Sequence, residues 1–248
     1  MINPKWTVAH SLALFGLLAI IVIIDGTTRI LFVTAYYLTL ALLTVLAGVI
    51  GHGVLGLWRG ILIDENDRIS LSRFQLVLWT ILLLSGLLAA AFGNLFRGLS
   101  LPPSPPMACR VDDPLGIIVS PNVWALMGIT LTAAVASELV KQTNRMRGRP
   151  IIANGGPEDA SWADLFMATE GTARRVDLTR VQNFYFTVVL VIAYGALLQQ
   201  LFVRNYFICA FPELTSGMLT LLGISHAGYV VAKAIPRPAA STPGTIVP

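Results

Sequence analysis

The sequence predicts an all-α polytopic membrane protein of six transmembrane helices, an N-terminal helix pair followed by two parallel two-helix repeats. Three observations predict it. Hydrophobic residues make up 55% of the 248 residues and charged residues only 12%, with a mean hydropathy of +0.74, a composition that water-soluble domains do not carry. Six apolar runs approach or exceed the about 20 helical residues needed to cross a hydrocarbon core. The hexamer Ser-Leu-Ser-Arg-Phe-Gln at 70–75 returns as Asp-Leu-Thr-Arg-Val-Gln at 177–182, each time just ahead of a long apolar run.

The first run, 7–24, follows Lys5 as a signal peptide would, but Asp25 and Arg29 come after it without a small-x-small cleavage site, so it reads as a retained span. The second run, 30–57, completes an N-terminal pair over residues 1–63. Near its end Gly51, Gly53 and Gly56 match the letters of a dinucleotide-binding motif. That motif has meaning only between a strand and a helix, so with Gly48 they predict close helix packing instead. Gly128/Thr132, Ala133/Ser137, Gly223/Ala227 and Gly228/Ala232 extend the same small-residue pattern. Runs 74–96 and 119–140 make the first hairpin repeat, within 64–147. Runs 181–203 and 216–235 make the second, within 177–248, and 148–176 is the linker between them.

With six spans, thirteen of the 17 Lys and Arg residues fall on the side that holds both termini and the 58–73 and 141–180 loops; Arg29, Arg97, Arg110 and Arg204 fall on the other. Positively charged flanks stay on the cytoplasmic side, so both termini are expected there, in a bacterial inner membrane. The basic face meets anionic lipid headgroups, and a pI near 9.3 therefore does not point to nucleic acid.

The echo between the halves continues beyond the hexamer: residues 125–130, Ala-Leu-Met-Gly-Ile-Thr, parallel residues 220–225, Thr-Leu-Leu-Gly-Ile-Ser. Each unit is thus a hairpin, and because both start from the same side they are expected to be parallel repeats about an axis near the membrane normal. In each hexamer the first or third residue, Ser70/Asp177 or Ser72/Thr179, can cap a helix start. Arg73 and Arg180 can reach lipid phosphate. Gln75 and Gln182 lie deeper, where an amide side chain favours a neighbouring helix over lipid. The alternative is a lipid, ligand or ion site built from the two Arg/Gln pairs.

These hexamers, with Leu-Trp-Thr at 78–80 and Leu-Leu-Gly-Ile-Ser-His-Ala-Gly-Tyr at 221–229, resemble a group of bacterial predicted inner-membrane proteins. The resemblance covers residues 64–235 and leaves the first two helices outside it. It implies a multi-pass membrane protein and brings no reaction, ligand or partner.

Among ionisable residues, His226 lies inside the sixth run, as a packing histidine or a proton-relay group. His10 and His52 show no metal-ligand spacing, and Glu138 can pair with Lys141 or Gln142 at helical spacing. No run carries a carboxylate near its centre, which argues against ion-coupled transport. In the linker, Trp162, Leu165, Phe166 and Thr169 recur at helical spacing, as in a short amphipathic helix lying in the interface. That segment is either a structured connection or a docking surface. Cys109 and Cys209 occupy matching external loops, where a disulfide is expected, the alternative being two unpaired thiols.

No catalytic or metal constellation emerges, and no cofactor is implied. The expected function is non-enzymatic: an oligomerising protein or membrane subunit that anchors a larger assembly. The alternative is a channel or pore lined by Gln75, Gln182, Gln199, Gln200 and Asn94.

Overall fold

The computed structural model describes residues 5–27, 32–98, 113, 115–148, 151–169, 174–205 and 207–234. They form six helices: α1 (Val8–Thr27), α2 (Phe32–Leu55), α3 (Leu71–Gly98), α4 (Pro121–Met146), α5 (Leu178–Arg204) and α6 (Ser216–Ala234). The all-helical expectation holds, with a difference in the sixth element. α1 to α5 are each long and apolar enough to cross a membrane; α6, with Ser225, His226 and Lys233, is more polar and falls outside that class. The boundaries also extend past the apolar runs. α3 has 28 residues, about 42 Å at 1.5 Å per residue, so its ends emerge from a hydrocarbon core about 30 Å thick.

α3 is the central helix, packed against α1, α2, α4 and α5, while α6 packs on α4 and α5. The main core joins Tyr36 of α2, Trp79 and Ala90 of α3, Leu126 of α4, Leu198 of α5 and Leu222 of α6. In lipid, expulsion from water does not drive such contacts; the interlocked shapes and close approach of the helices do. α1 is the least enclosed helix, with only 11% of its span buried, which suits a segment surrounded by acyl chains.

The glycines near the end of α2 do what close packing requires. A side chain on Gly51 would stand 2.7 Å from the amide of Ile61, so only glycine lets the chain double back through the 3-10 turn Gly60–Leu62. Gly56 turns there with φ +75. Gly128 and Gly228, by contrast, meet nothing within 4 Å.

At the end where α3 begins and α4 finishes, residues 56–70, 151–169 and 174–177 fold together as a cap. The amide of Asn154 donates to the carbonyl of Asn66 at 3.0 Å, its side-chain amide to the carbonyl of Asp67 at 2.7 Å, and Arg59 to the carbonyl of Glu158 at 2.8 Å. At the opposite end the α5–α6 connection is tucked under the bundle. Asn94 of α3 donates to the carbonyl of Ile208 at 2.6 Å and accepts from its amide at 2.8 Å. Ile118 pairs with the same strap, donating to the carbonyl of Cys209 at 2.8 Å. The other expected disulfide partner, Cys109, lies outside the described residues.

Candidate functional site

Beneath the cap lies a buried network of charges. It starts in the tight turn 63–69, where Ile63 and Ile69 bridge in antiparallel fashion. One carboxylate oxygen of Asp64 accepts the amides of Asn66 at 2.9 Å and Arg68 at 3.3 Å, the way an aspartate stands in for backbone in a turn. Asp67 follows with φ +55, a left-handed conformation that Asp tolerates better than most residues. The other oxygen of Asp64 receives the Lys141 ammonium of α4 at 2.6 Å, and Lys141 also holds Glu138 at 2.9 Å. Arg145, one turn on, donates to Asn66 and reaches Glu65 at 3.4 Å. Burial pushes the Asp64 carboxyl up, but the Lys141 charge and the two amides outweigh it and hold the group below the usual carboxylate range.

The second half of the network joins the turn to the linker. Arg68, only 1% exposed, reaches the Asp164 carboxylate at 3.3 Å and the carbonyl of Ala168 at 2.8 Å. Burial lowers its pKa from the ordinary arginine value against the pull of Asp164, and the nearby Arg180 charge acts in the same direction as burial. Asp164 also closes a capping box with Ser161 over the turn Trp162–Leu165. Arg180 of α5 donates to the carbonyl of Asp164 at 3.3 Å and to the Thr169 hydroxyl at 3.1 Å. Among the described residues at this end the buried carboxylates Asp64, Asp164 and Asp177 stand with the buried cations Arg68, Lys141 and Arg180. Such an arrangement adds little net stability over apolar packing, but removing one member leaves the other stranded. Its chemistry is that of a key, which accepts one seating of the cap on the helices.

One turn deeper, Gln75 of α3 donates to the Thr187 hydroxyl of α5 at 2.6 Å, and Ser225 of α6 donates to the Asn183 side-chain oxygen at 3.2 Å. His226 is buried and donates through Nδ1 to the carbonyl of Leu222 at 3.0 Å, an intrahelical bond.

The residues expected from sequence are thus distributed unevenly. Arg180 enters the network, Gln75 joins α3 to α5 one turn below it, Arg73 borders it by donating to the carbonyl of Ile63 at 2.5 Å, and Gln182 is exposed on the outer face of α5. Arg180, 2% exposed, is turned away from lipid because the linker supplies oxygen acceptors at its depth. In place of the expected amphipathic helix, residues Trp162–Leu165 form a 3-10 turn, with Leu165 packed inward at 2% exposure and Trp162 outward at 56%. Phe166 and Phe74 both pack on Phe184. Asp177 does cap α5, accepting the amide of Thr179 at 3.1 Å.

Sequence reasoning missed Asp64, Arg68 and Asp164, and found Lys141 only as a partner of Glu138. The available signal was the Asp-x-Asn-Asp-Arg turn at 64–68 and a lysine at the inner edge of a span. It also left His10 and His52 apart, whereas their rings stack and share a 2.9 Å contact between Trp6 and Trp58. Among the described residues no group of three or more His, Cys, Asp and Glu could hold a metal ion. Compared with protein-family models, curated proteins and solved structures, the chain matches none.

Proposed function

We propose that the chain is a non-enzymatic membrane scaffold of the bacterial inner membrane, which presents its cap on the cytoplasmic side and there anchors a partner or further copies of itself. The observation that carries this reading is the buried charge network, which ties the cap to α3, α4 and α5 through ion pairs and hydrogen bonds. A cap held so firmly suits positioning, and its surface offers the exposed Trp162, Arg174 and Arg175. On this reading α6, packed on α4, is taken as a sixth crossing, which would leave both termini on that side. The two hairpins act as parallel units, and a Cys109–Cys209 bridge ties their external loops. Ile118 and Cys209 already lie in register there, and unreduced protein should carry no alkylatable thiol.

The test is the native mass of the complex extracted in mild detergent, with co-purifying chains identified. A multimer or a stoichiometric partner is expected, and loss of it on Trp162→Glu assigns the contact to the cap. A strictly monomeric particle without partner removes the reading. A pore between several copies is the second reading, favoured by Gln182, Gln199 and Gln200 lying exposed along α5. Selective ion flux in liposomes would establish it.

A further inference from the structure

The first turn of α3 carries polar groups that the buried network leaves unused. Two furrows flank this helix. The one toward α2, about 380 Å³, is lined almost wholly by hydrocarbon, including Leu43, Ile50 and Val77. The one toward α4, about 490 Å³, runs from apolar Leu131 and Val135 to polar Glu65, Glu138, Gln142 and Arg145 at the capped end. The furrows meet at Arg73 and Leu76, which line both.

Two observations at that meeting point ask for an anion. Ser72 is 2% exposed and lines the polar furrow, and its hydroxyl has no hydrogen-bond partner. A buried hydroxyl left so is costly unless something outside the chain satisfies it. Arg73 beside it has one bond, to the carbonyl of Ile63, and among the described residues no carboxylate pairs with it. A phosphate seated there would accept from both side chains, in the charge-assisted geometry that makes such bonds strong. Arg73 is in the first turn of a spanning helix, at headgroup depth. Two apolar furrows leaving one phosphate position on either side of Leu76 match two acyl chains.

The remaining lining chooses the headgroup. Glu65 and Glu138 balance Arg73 and Arg145 in the polar furrow, so an anionic headgroup would add an unbalanced charge. A zwitterion would not. Glu138, held by Lys141 at 2.9 Å, retains acceptor capacity for the N–H groups of a primary ammonium, which a quaternary ammonium lacks. We infer that the furrows around α3 bind one phospholipid with a phosphoethanolamine headgroup, its phosphate on Arg73 and Ser72, its ammonium toward Glu138 and Glu65, and one acyl chain on each side of Leu76.

Native mass spectrometry of delipidated protein, offered equal amounts of phosphatidylethanolamine, phosphatidylcholine and phosphatidylglycerol, tests this. One bound phospholipid per chain is expected, with the ethanolamine lipid favoured by about tenfold, the scale of one charged hydrogen bond. Ser72→Ala deletes no internal bond, so its fold is preserved and its lipid retention should fall about three- to tenfold; Arg73→Gln should lower it further. Glu138→Gln should keep a lipid bound while erasing the preference for ethanolamine. Equal retention of phosphatidylglycerol by the unaltered protein overturns the headgroup assignment. Undiminished retention by Ser72→Ala overturns the site, as does displacement of the lipid by inorganic phosphate alone.

Discussion

The hexamers at 70–75 and 177–182 carry leucine, arginine and glutamine at the same three places, and the fold uses none of the pairs alike. Leu71 is fully buried while Leu178 is 78% exposed. Gln75 bonds across to α5, and Gln182 is exposed on α5's outer side. Arg73 is half-buried beside the α3 furrows, while Arg180 is enclosed under the cap. The buried positions of α3 include Ser72, Gln75, Trp79, Ala90 and Asn94; in α5 they include Arg180, Asn183, Thr187, Leu198 and Phe202. Matched by letter, each buried residue of α5 comes one position later, and Leu126 and Thr130 of α4 against Leu222 and His226 of α6 show the same offset. One residue is a rotation of about 100° around a helix axis. Interfacial letters therefore set where a helix starts and how deep it sits, whereas the partner decides which face turns inward.

The largest expected effect bears on what seats the first copy. Lys141→Met strands the Asp64 carboxylate and should cost about 3–5 kcal/mol at pH 7, measured by denaturant unfolding in detergent. The folded pKa of Asp64 is lowered, so the stability it contributes is present above the unfolded value and lost as pH falls through the folded one. The gap between variant and unaltered protein should accordingly narrow below about pH 4. A gap that does not change with pH would remove the ion pair from the explanation.

Next comes the leucine pair. Leu71→Ala should cost about 3 kcal/mol through lost packing, and Leu178→Ala less than about 0.5 kcal/mol. Similar losses at both sites would mean that the copies pack alike after all. Arg180→Leu should cost at least about 2 kcal/mol, because among the described residues its hydrogen bonds to the Asp164 carbonyl and the Thr169 hydroxyl disappear and these acceptors stay buried. Arg73→Leu should cost less than about 1 kcal/mol, since only the Ile63 carbonyl loses a donor. The reverse order would place Arg73, not Arg180, in the anchoring role. The smallest contrast is Gln75→Leu, at about 1 kcal/mol or less, against no measurable change for Gln182→Leu. Equal values would show that the Thr187 bond carries no weight.

Much of the network was invisible in the sequence for one physical reason: its members come from segments far apart. Asp64 meets Lys141, and Arg68 meets Asp164, across most of a hairpin and a linker. Local pattern exposes only pairs on one element, and Glu138 with Lys141 was accordingly legible. The stacked histidines follow the same rule, since His10 and His52 approach only because α1 and α2 fold back on each other. The apolar spacing at 162–169 forms a 3-10 turn rather than the expected helix. Apolar residues at helical spacing can serve a protein core as readily as a lipid interface, and Leu165 serves the core.

What the sequence determined by itself is whatever depends on transfer from water to hydrocarbon and on local backbone chemistry. Long apolar runs must become helices, because lipid leaves no other partner for their amides and carbonyls. Asp177 caps the helix that follows it, and glycines mark where α2 turns back. The tertiary structure alone decided the rotation of each helix, the pairing of buried charges, and which of two identical letters faces the interior. Inside a bilayer those choices are governed by shape and by a few hydrogen bonds between distant segments, since lipid is as apolar as the core and hydrophobicity cannot distinguish one helix face from another.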